Sequence, residues 1–122
     1  MIRVENIQKY FPIKDGFFNK KNGDVKAVEN VSFEIPEGEI LGLVGESGSG
    51  KSTLGRSLIR LIEPTNGKIF YNNEDITEFS EKEMRKLRKD FQIIFQDPYA
   101  SLDPRKKIFD IISQGISIHS KM

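Results

Sequence analysis

Apolar and polar residues alternate in two segments of the first third of the chain. "IRVENIQKYF" sets Ile2, Val4 and Ile7 among polar neighbours, and "KAVENVSFEI" does the same with Val28, Val31, Phe33 and Ile35. A period of two belongs to a half-buried strand, so both segments are predicted strands, the first of edge type. "PIKDGFFNKKNGD", Pro12 to Asp24, lies between them and reads as a loop or a long hairpin connection, being rich in Gly, Asn, Asp and Lys. "PEG", Pro36 to Gly38, signals a turn. Two later runs break the alternation. "EILGLV", Glu39 to Val44, and "FQIIF", Phe91 to Phe95, are mostly apolar without a period, the pattern of strands buried on both faces.

Helical spacing appears between these runs. "STLGRSLIRLI" puts Leu54, Leu58, Leu61 and Ile62 on one side of a helix and its arginines on the other, with Pro64 in "EPTNG" forcing the exit. "KIFY" is a short strand followed by an "NNED" turn. Ser80 and Glu83 match a capping box, which predicts a helix over "SEKEMRKLRKD". Asp103 and Pro104 suit the start of a last helix around Ile108 to Ile116. No internal repeat or low-complexity tract interrupts this order. Strands, then helix, strand, helix, strand and helix predict an α/β fold with an antiparallel start.

Composition narrows the classes of function. The 122 residues suffice for one small domain. Nineteen Lys plus Arg against eighteen Asp plus Glu argue against a general polyanion binder, and no nucleic-acid partner is expected. "MRKLRK", Met84 to Lys89, reads as a solvated helix face. The absence of cysteine excludes disulfides, thiolate catalysis and cysteine-ligated metals. The opening residues lack an apolar core of signal-peptide length, and no stretch approaches the length of a membrane span. Work at a membrane would therefore go through a partner.

The strongest chemical signal is "GESGSGKS", Gly45 to Ser52, which fits G-x-x-x-x-G-K-[ST] between a predicted strand and a predicted helix. A nucleoside triphosphate concentrates several negative charges within a few ångströms. Backbone N–H groups surround such a group more densely than side chains can, provided the chain curls around it. That curl accounts for the glycines at Gly45, Gly48 and Gly50, with Glu46, Ser47 and Ser49 completing the loop. The unpaired N–H groups and dipole of the following helix add to the attraction. Lys51 is expected at the β- and γ-phosphates, the Ser52 hydroxyl on Mg²⁺, and the Thr53 hydroxyl near the α-phosphate. The motif alone predicts a site for a nucleotide with Mg²⁺ on a phosphate-loop (P-loop) NTPase-type core with an N-terminal antiparallel β portion, and ATP as that nucleotide is implied only by the family resemblance that further residues carry.

Further residues narrow the family. The stretch from "AVENVSFEIPEGEI" through "GESGSGKST" to "NGKIFYNNEDI" resembles the ATPases of ATP-binding cassette (ABC) transporters, and "IIFQDPYASLDPR", Ile93 to Arg105, resembles the region around their Q-loop. "GESGSGKS" together with "FQDPYASLDPR" is most similar to the oligopeptide/dipeptide importer branch. The resemblance implies a stacking aromatic for adenine in "KYF", with Phe11 first and Tyr10 second. It implies that Gln96 is the Q-loop glutamine, a ligand to Mg²⁺ and a holder of the attacking water. It also implies that "DPYASLDPR" meets the membrane subunits, with Tyr99 and Leu102 as apolar contacts. Glu46 is not the family's catalytic carboxylate, and His119, the only histidine, comes too early to be its switch histidine.

These 122 residues contain no "LSGGQ"-type signature and no apolar strand ending in Asp-Glu after the Q-loop. They are accordingly expected to be the N-terminal part of one nucleotide-binding domain, an incomplete ABC ATPase domain with an uncovered sheet edge, poor solubility or partial order. Lys51 and Gln96 are its catalytic candidates. Nucleotide binding is the most that the isolated chain is expected to achieve, because hydrolysis in this family needs a second ATPase packed head to tail. Permease subunits and that second ATPase are the implied partners, at the cytoplasmic face of the membrane. The resemblance implies the ATP-binding subunit of an ABC importer for oligopeptides/dipeptides, coupling ATP binding and hydrolysis to transport, with nickel or another small solute left open because the ATPase of this family does not touch the solute. The alternative is a truncated, non-enzymatic module that docks on a permease through Gln96 to Arg105. A small kinase or GTPase is a weaker rival, as no N-K-x-D guanine-reading motif is present.

Overall fold

The computed structural model describes residues 1–15, 20–97, 99 and 102–119. The chain divides into two compact units, Met1–Glu78 and Phe79–Met122.

The first unit is built on an antiparallel hairpin. β1 (Ile2–Asp15) pairs with β2 (Lys20–Ile35) along nearly its whole length, from Ile2 opposite Ile35 to Asp15 opposite Lys20. The predicted connection Pro12 to Asp24 is thus largely strand, a long hairpin, with residues 16–19 outside the described ones. Asn6 and Asn30 take left-handed φ values of 49° and 51°, close to the places where the register slips. Asparagine tolerates that conformation better than most residues, so each slip is absorbed at little cost.

β3 (Asn66–Tyr71) pairs with the first half of β1, and the two-residue β4 (Glu74–Asp75) closes the sheet in the order β2-β1-β3-β4. β1 is therefore an inner strand and not the edge its alternation suggested. Alternation reports one wet face, whereas edge position depends on which later strand returns to pair. Asn72 and Asn73, both at positive φ, make the tight turn between β3 and β4. Val4, Ile7, Val28, Ile69 and Ile76 are buried, and α1 (Lys51–Leu58) adds Leu54 to this core.

The first helix stops six residues before Pro64. Arg60 turns left-handed at φ 50°, its N–H donates to the Ser57 carbonyl, and the Leu61 N–H donates back to the Arg56 carbonyl. These paired bonds satisfy the last carbonyls and end the helix without a proline. Leu61 consequently lies beyond the helix and is exposed. The Arg60 guanidinium anchors this turn by donating to the Ile76 carbonyl at 3.0 Å and to both Glu63 carboxylate oxygens at 2.9 Å.

Neither continuous apolar run forms a strand. Residues 39–44 and 91–95 join no ladder among the described residues, with Ile40 96%, Val44 92% and Ile94 95% exposed. A strand apolar on both faces needs pairing partners on its edges and a layer on each face. The described sheet is wholly antiparallel and neither edge strand accepts them.

In the second unit, Ser80 caps α2 (Glu81–Leu87) as the sequence predicts. Its hydroxyl accepts from the Glu83 N–H, and the Glu83 carboxylate accepts from the Ser80 N–H at 2.8 Å. Met84 is the buried residue of this helix. α3 (Ile108–His119) follows a turn in which Asp103 accepts from the Arg105 backbone N–H at 3.0 Å. No helix among the described residues is long and apolar enough to cross a membrane.

Candidate phosphate-binding loop

The loop that precedes α1 is shaped by its glycines and closed by its lysine. Gly48 and Gly50 sit at φ 81° and 90°, where a side chain is disfavoured. Gly50 is also pressed against β2: a Cβ there would stand 2.1 Å from the Ala27 carbonyl oxygen. The loop can therefore lie on the hairpin only with glycine at this position.

Gly50 is the N-cap of α1 and offers no side chain to the first N–H groups of the helix, nor does an acidic residue stand in its first turn. The start of the helix is thus left with its donors and the positive end of its dipole uncompensated. Lys51 folds back over the loop. Its ammonium donates to the Gly45 carbonyl at 2.7 Å, the Glu46 carbonyl at 2.5 Å and the Ser49 hydroxyl at 3.3 Å. An ammonium has three donors. The two carbonyls fix its position, and the longer bond to Ser49 is the one an incoming anion would most easily replace.

A hollow of about 380 Å³ opens beside this loop. Gly45, Ser49, Gly50 and Lys51 form one side of it and Ala27, Val28 and Glu29 of β2 another, with Leu43, Val44 and Leu54 adding apolar surface. Sequence reading missed the β2 wall. Its only trace in the sequence is the glycine at position 50, whose need for space becomes evident once Ala27 is seen against it.

The Glu29 carboxylate is held in place by its neighbours: Oε1 accepts from the Lys26 ammonium at 2.6 Å and from the Tyr10 hydroxyl at 3.3 Å. Hydrogen bonding from Lys26 keeps the Glu29 carboxyl below its ordinary pKa, and the same bond raises that of Lys26. Of the two aromatic candidates, Tyr10 is engaged in this group, with the Lys26 ammonium 5.5 Å from its ring centre. Phe11 pairs across the hairpin with Val25, has Lys9 at 5.0 Å over its ring, and is partly exposed. Neither aromatic lines the hollow.

Glu46, Ser47, Gly48 and Ser52 are exposed around the loop, and Thr53 is half-buried. Gln96 belongs to the second unit, where it is exposed. Tyr99 and Leu102 are exposed in the same segment, while Pro98, Ala100 and Ser101 lie outside the described residues. Among the described residues no three carboxylate or histidine groups gather as a ready metal site.

A glycine-shaped loop, a lysine bridging it and an uncapped helix start are the geometry that the G-x-x-x-x-G-K-[ST] motif predicts. The sequence model of the ABC transporter family matches residues 28–121, and the chain belongs to that family. It is 50% identical over 121 residues to the oligopeptide transport ATP-binding protein AppF of Bacillus subtilis (strain 168), a match covering 98% of this chain and 37% of the relative. It is also 50% identical over 119 residues to the glutathione import ATP-binding protein GsiA of Escherichia coli (strain K12), with 98% and 19% covered.

Among solved structures, the dimeric bacterial ABC transporter cassette MJ0796 superposes with a TM-score of 0.70 at 31% identity, over 88% of this chain and 43% of that one. The cassette cbiO1 of Clostridium perfringens does so with 0.65 at 25% identity, over 95% and 47%. The fold is thus part of an ABC ATPase domain, with an antiparallel β portion leading into helices, and the chain spans less than half the length of each of these four proteins.

Proposed function

We propose that the chain is the N-terminal, nucleotide-holding part of the ATP-binding subunit of an ABC importer, with an oligopeptide or glutathione as the solute. The observation that carries this reading is the Lys51 ammonium, pinned by two loop carbonyls at the mouth of a hollow that begins at an uncapped helix start. The names of the two relatives supply the solute class.

The residues present suit MgATP. Lys51 and the first N–H groups of α1 would hold the phosphates, with Gly45 to Gly50 as the loop around them, Ser52 would hold Mg²⁺ and Thr53 would bind near the α-phosphate. Magnesium would supply charge neutralisation between the phosphates. The protein's own part is to orient the polyphosphate and keep an ammonium beside it. Phe11, with its ring partly free, is the proposed platform for the base, and Gln96 the proposed second ligand and water-holding residue.

Hydrolysis needs more than one wall of a site. The MJ0796 cassette is dimeric, and a second ATPase packed head to tail is the proposed partner here too. Tyr99, 84% exposed, and Leu102 beside it favour docking of the same chain on permease subunits at the cytoplasmic face of the membrane. Titration with a fluorescent ATP analogue tests the reading. Binding is expected with the native chain, a fall of at least about tenfold with Lys51→Ala, and no turnover by the chain alone. Equal binding by both forms would remove the phosphate loop from the account, and absence of binding by either would leave a docking module.

A further inference from the structure

Among the described residues lining the hollow, Lys51 is the one cation and Glu29 the one anion. A carboxylate beside a polyphosphate site is unfavourable unless it meets a different part of the ligand. The phosphates belong with Lys51 and the helix start, so Glu29 must face the neutral portion of whatever binds. One of its oxygens, Oε1, is already committed to Lys26 and Tyr10, and neither of these bonds uses Oε2. An ionised carboxylate accepts at both oxygens and donates at neither. The hollow thus offers a cation and amide donors to an anion, apolar surface from Val28, Val44 and Leu54, and one anchored acceptor to a hydrogen-bond donor.

We infer that Glu29 is a specificity residue that accepts hydrogen bonds from the ribose hydroxyls of the bound nucleotide. The inference rests on the nucleotide reading above and deepens it. Ribose carries two neighbouring O–H donors a few bonds from the phosphates, which suits a carboxylate with an oxygen left over on the β2 wall beside the loop. Lys26 and Tyr10 act as positioning residues that hold the carboxylate in place through Oε1. The same carboxylate disfavours ligands that extend negative charge towards β2.

The test is equilibrium titration of the full chain with ATP, 2′,3′-dideoxyATP, ITP and inorganic tripolyphosphate, in the native form and as Glu29→Ala, Glu29→Gln and Lys51→Ala. The native chain should prefer ATP over dideoxyATP by about five- to tenfold, as suits a charge-assisted hydrogen bond at a partly exposed site. Glu29→Ala should abolish that preference, Glu29→Gln should reduce it, and both should leave tripolyphosphate binding intact, which also certifies the fold.

A ribose preference that is missing in the native chain, or that survives Glu29→Ala, overturns the inference while Lys51-dependent binding upholds the nucleotide reading. A change confined to the ATP-to-ITP ratio would place Glu29 at the base and overturn it equally. Failure of all forms to bind ATP or tripolyphosphate, or indifference to Lys51→Ala, removes the nucleotide reading and this inference with it.

Discussion

The hairpin of the first unit and the run from Glu39 to Val44 both present apolar side chains and have opposite fates. In the hairpin, Ile7 is fully buried and Val4 nearly so, while Ile40 and Val44 stand almost wholly in water. Hydrophobicity does not separate them. What separates them is whether partner strands pair with them. β2 follows β1 directly and β3 returns from later in the chain to the other edge of β1, so the alternating segments have partners. A run apolar on both faces depends on strands at both edges and layers above and below, and none of these is present among the described residues.

The largest expected effect comes from substituting across this divide. Ile7→Ala should cost about 2–5 kcal/mol, the usual range for emptying a packed site. Ile40→Ala and Ile94→Ala should each stay within about 0.5 kcal/mol, because they remove surface that water already covers. Urea unfolding followed by circular dichroism gives both values. A cost at Ile40 or Ile94 matching that at Ile7 would mean the runs are packed, and the contrast would collapse. Ile40→Lys and Ile94→Lys should also raise solubility without loss of stability, since exposed apolar stretches favour aggregation.

The same contrast explains what was legible in the sequence. Signals that act over a few residues were read correctly: the Ser80–Glu83 box, the asparagine turn after Tyr71 and the phosphate-loop glycines all depend on neighbours in the chain. Those that depend on distant segments were not. The interior position of β1 required β3 to return. The early stop of α1 depends on Arg60 adopting φ 50° and bracing against the Ile76 carbonyl, which no helical period announces. At the candidate site, Lys51 and its loop were legible because the motif is local. Ala27, Val28 and Glu29 were not, because a wall of a hollow belongs to whichever strand happens to lie beside the loop.

Gly50→Ala carries the comparison to the loop, where a local conformation meets a distant contact. The substitution places a Cβ 2.1 Å from the Ala27 carbonyl oxygen at a residue whose φ is 90°. Strain of about 1–3 kcal/mol is expected from the backbone alone, and the loop must lift from β2 to relieve the clash. A lower melting temperature and weakened ATP-analogue binding should appear together. Gly55→Ala, with nothing within 4 Å of the added atom and an ordinary helical position, should be neutral or stabilising.

Ser57 offers a smaller effect of opposite sign. Its hydroxyl is buried on α1 with no hydrogen-bond partner. Ser57→Ala removes an unsatisfied polar group and improves helix propensity, and should stabilise the first unit by about 1 kcal/mol. A loss of stability in urea unfolding would mean that the hydroxyl is bonded in solution.

An effect of similar size is confined to the second unit and serves as a control for locality. Ser80→Ala should cost α2 about 1 kcal/mol through loss of its cap, with the hairpin unchanged. The capping bond also makes the helix start sensitive to acid. Hydrogen bonds from the Ser80 hydroxyl, and then from its backbone N–H, keep the Glu83 carboxyl below its ordinary value of 4.5. A carboxyl lowered by folding stabilises the fold above the unfolded value, and that contribution is lost as pH falls through the lower, folded value. Chemical shifts of the α2 backbone should therefore be level at neutral pH and move towards coil on acidification below about 4.5, and this step should shrink in Ser80→Ala. A step of equal size at β1 and β3 would show that acid acts on the whole chain, whereas one confined to residues 80–87 ties it to the cap.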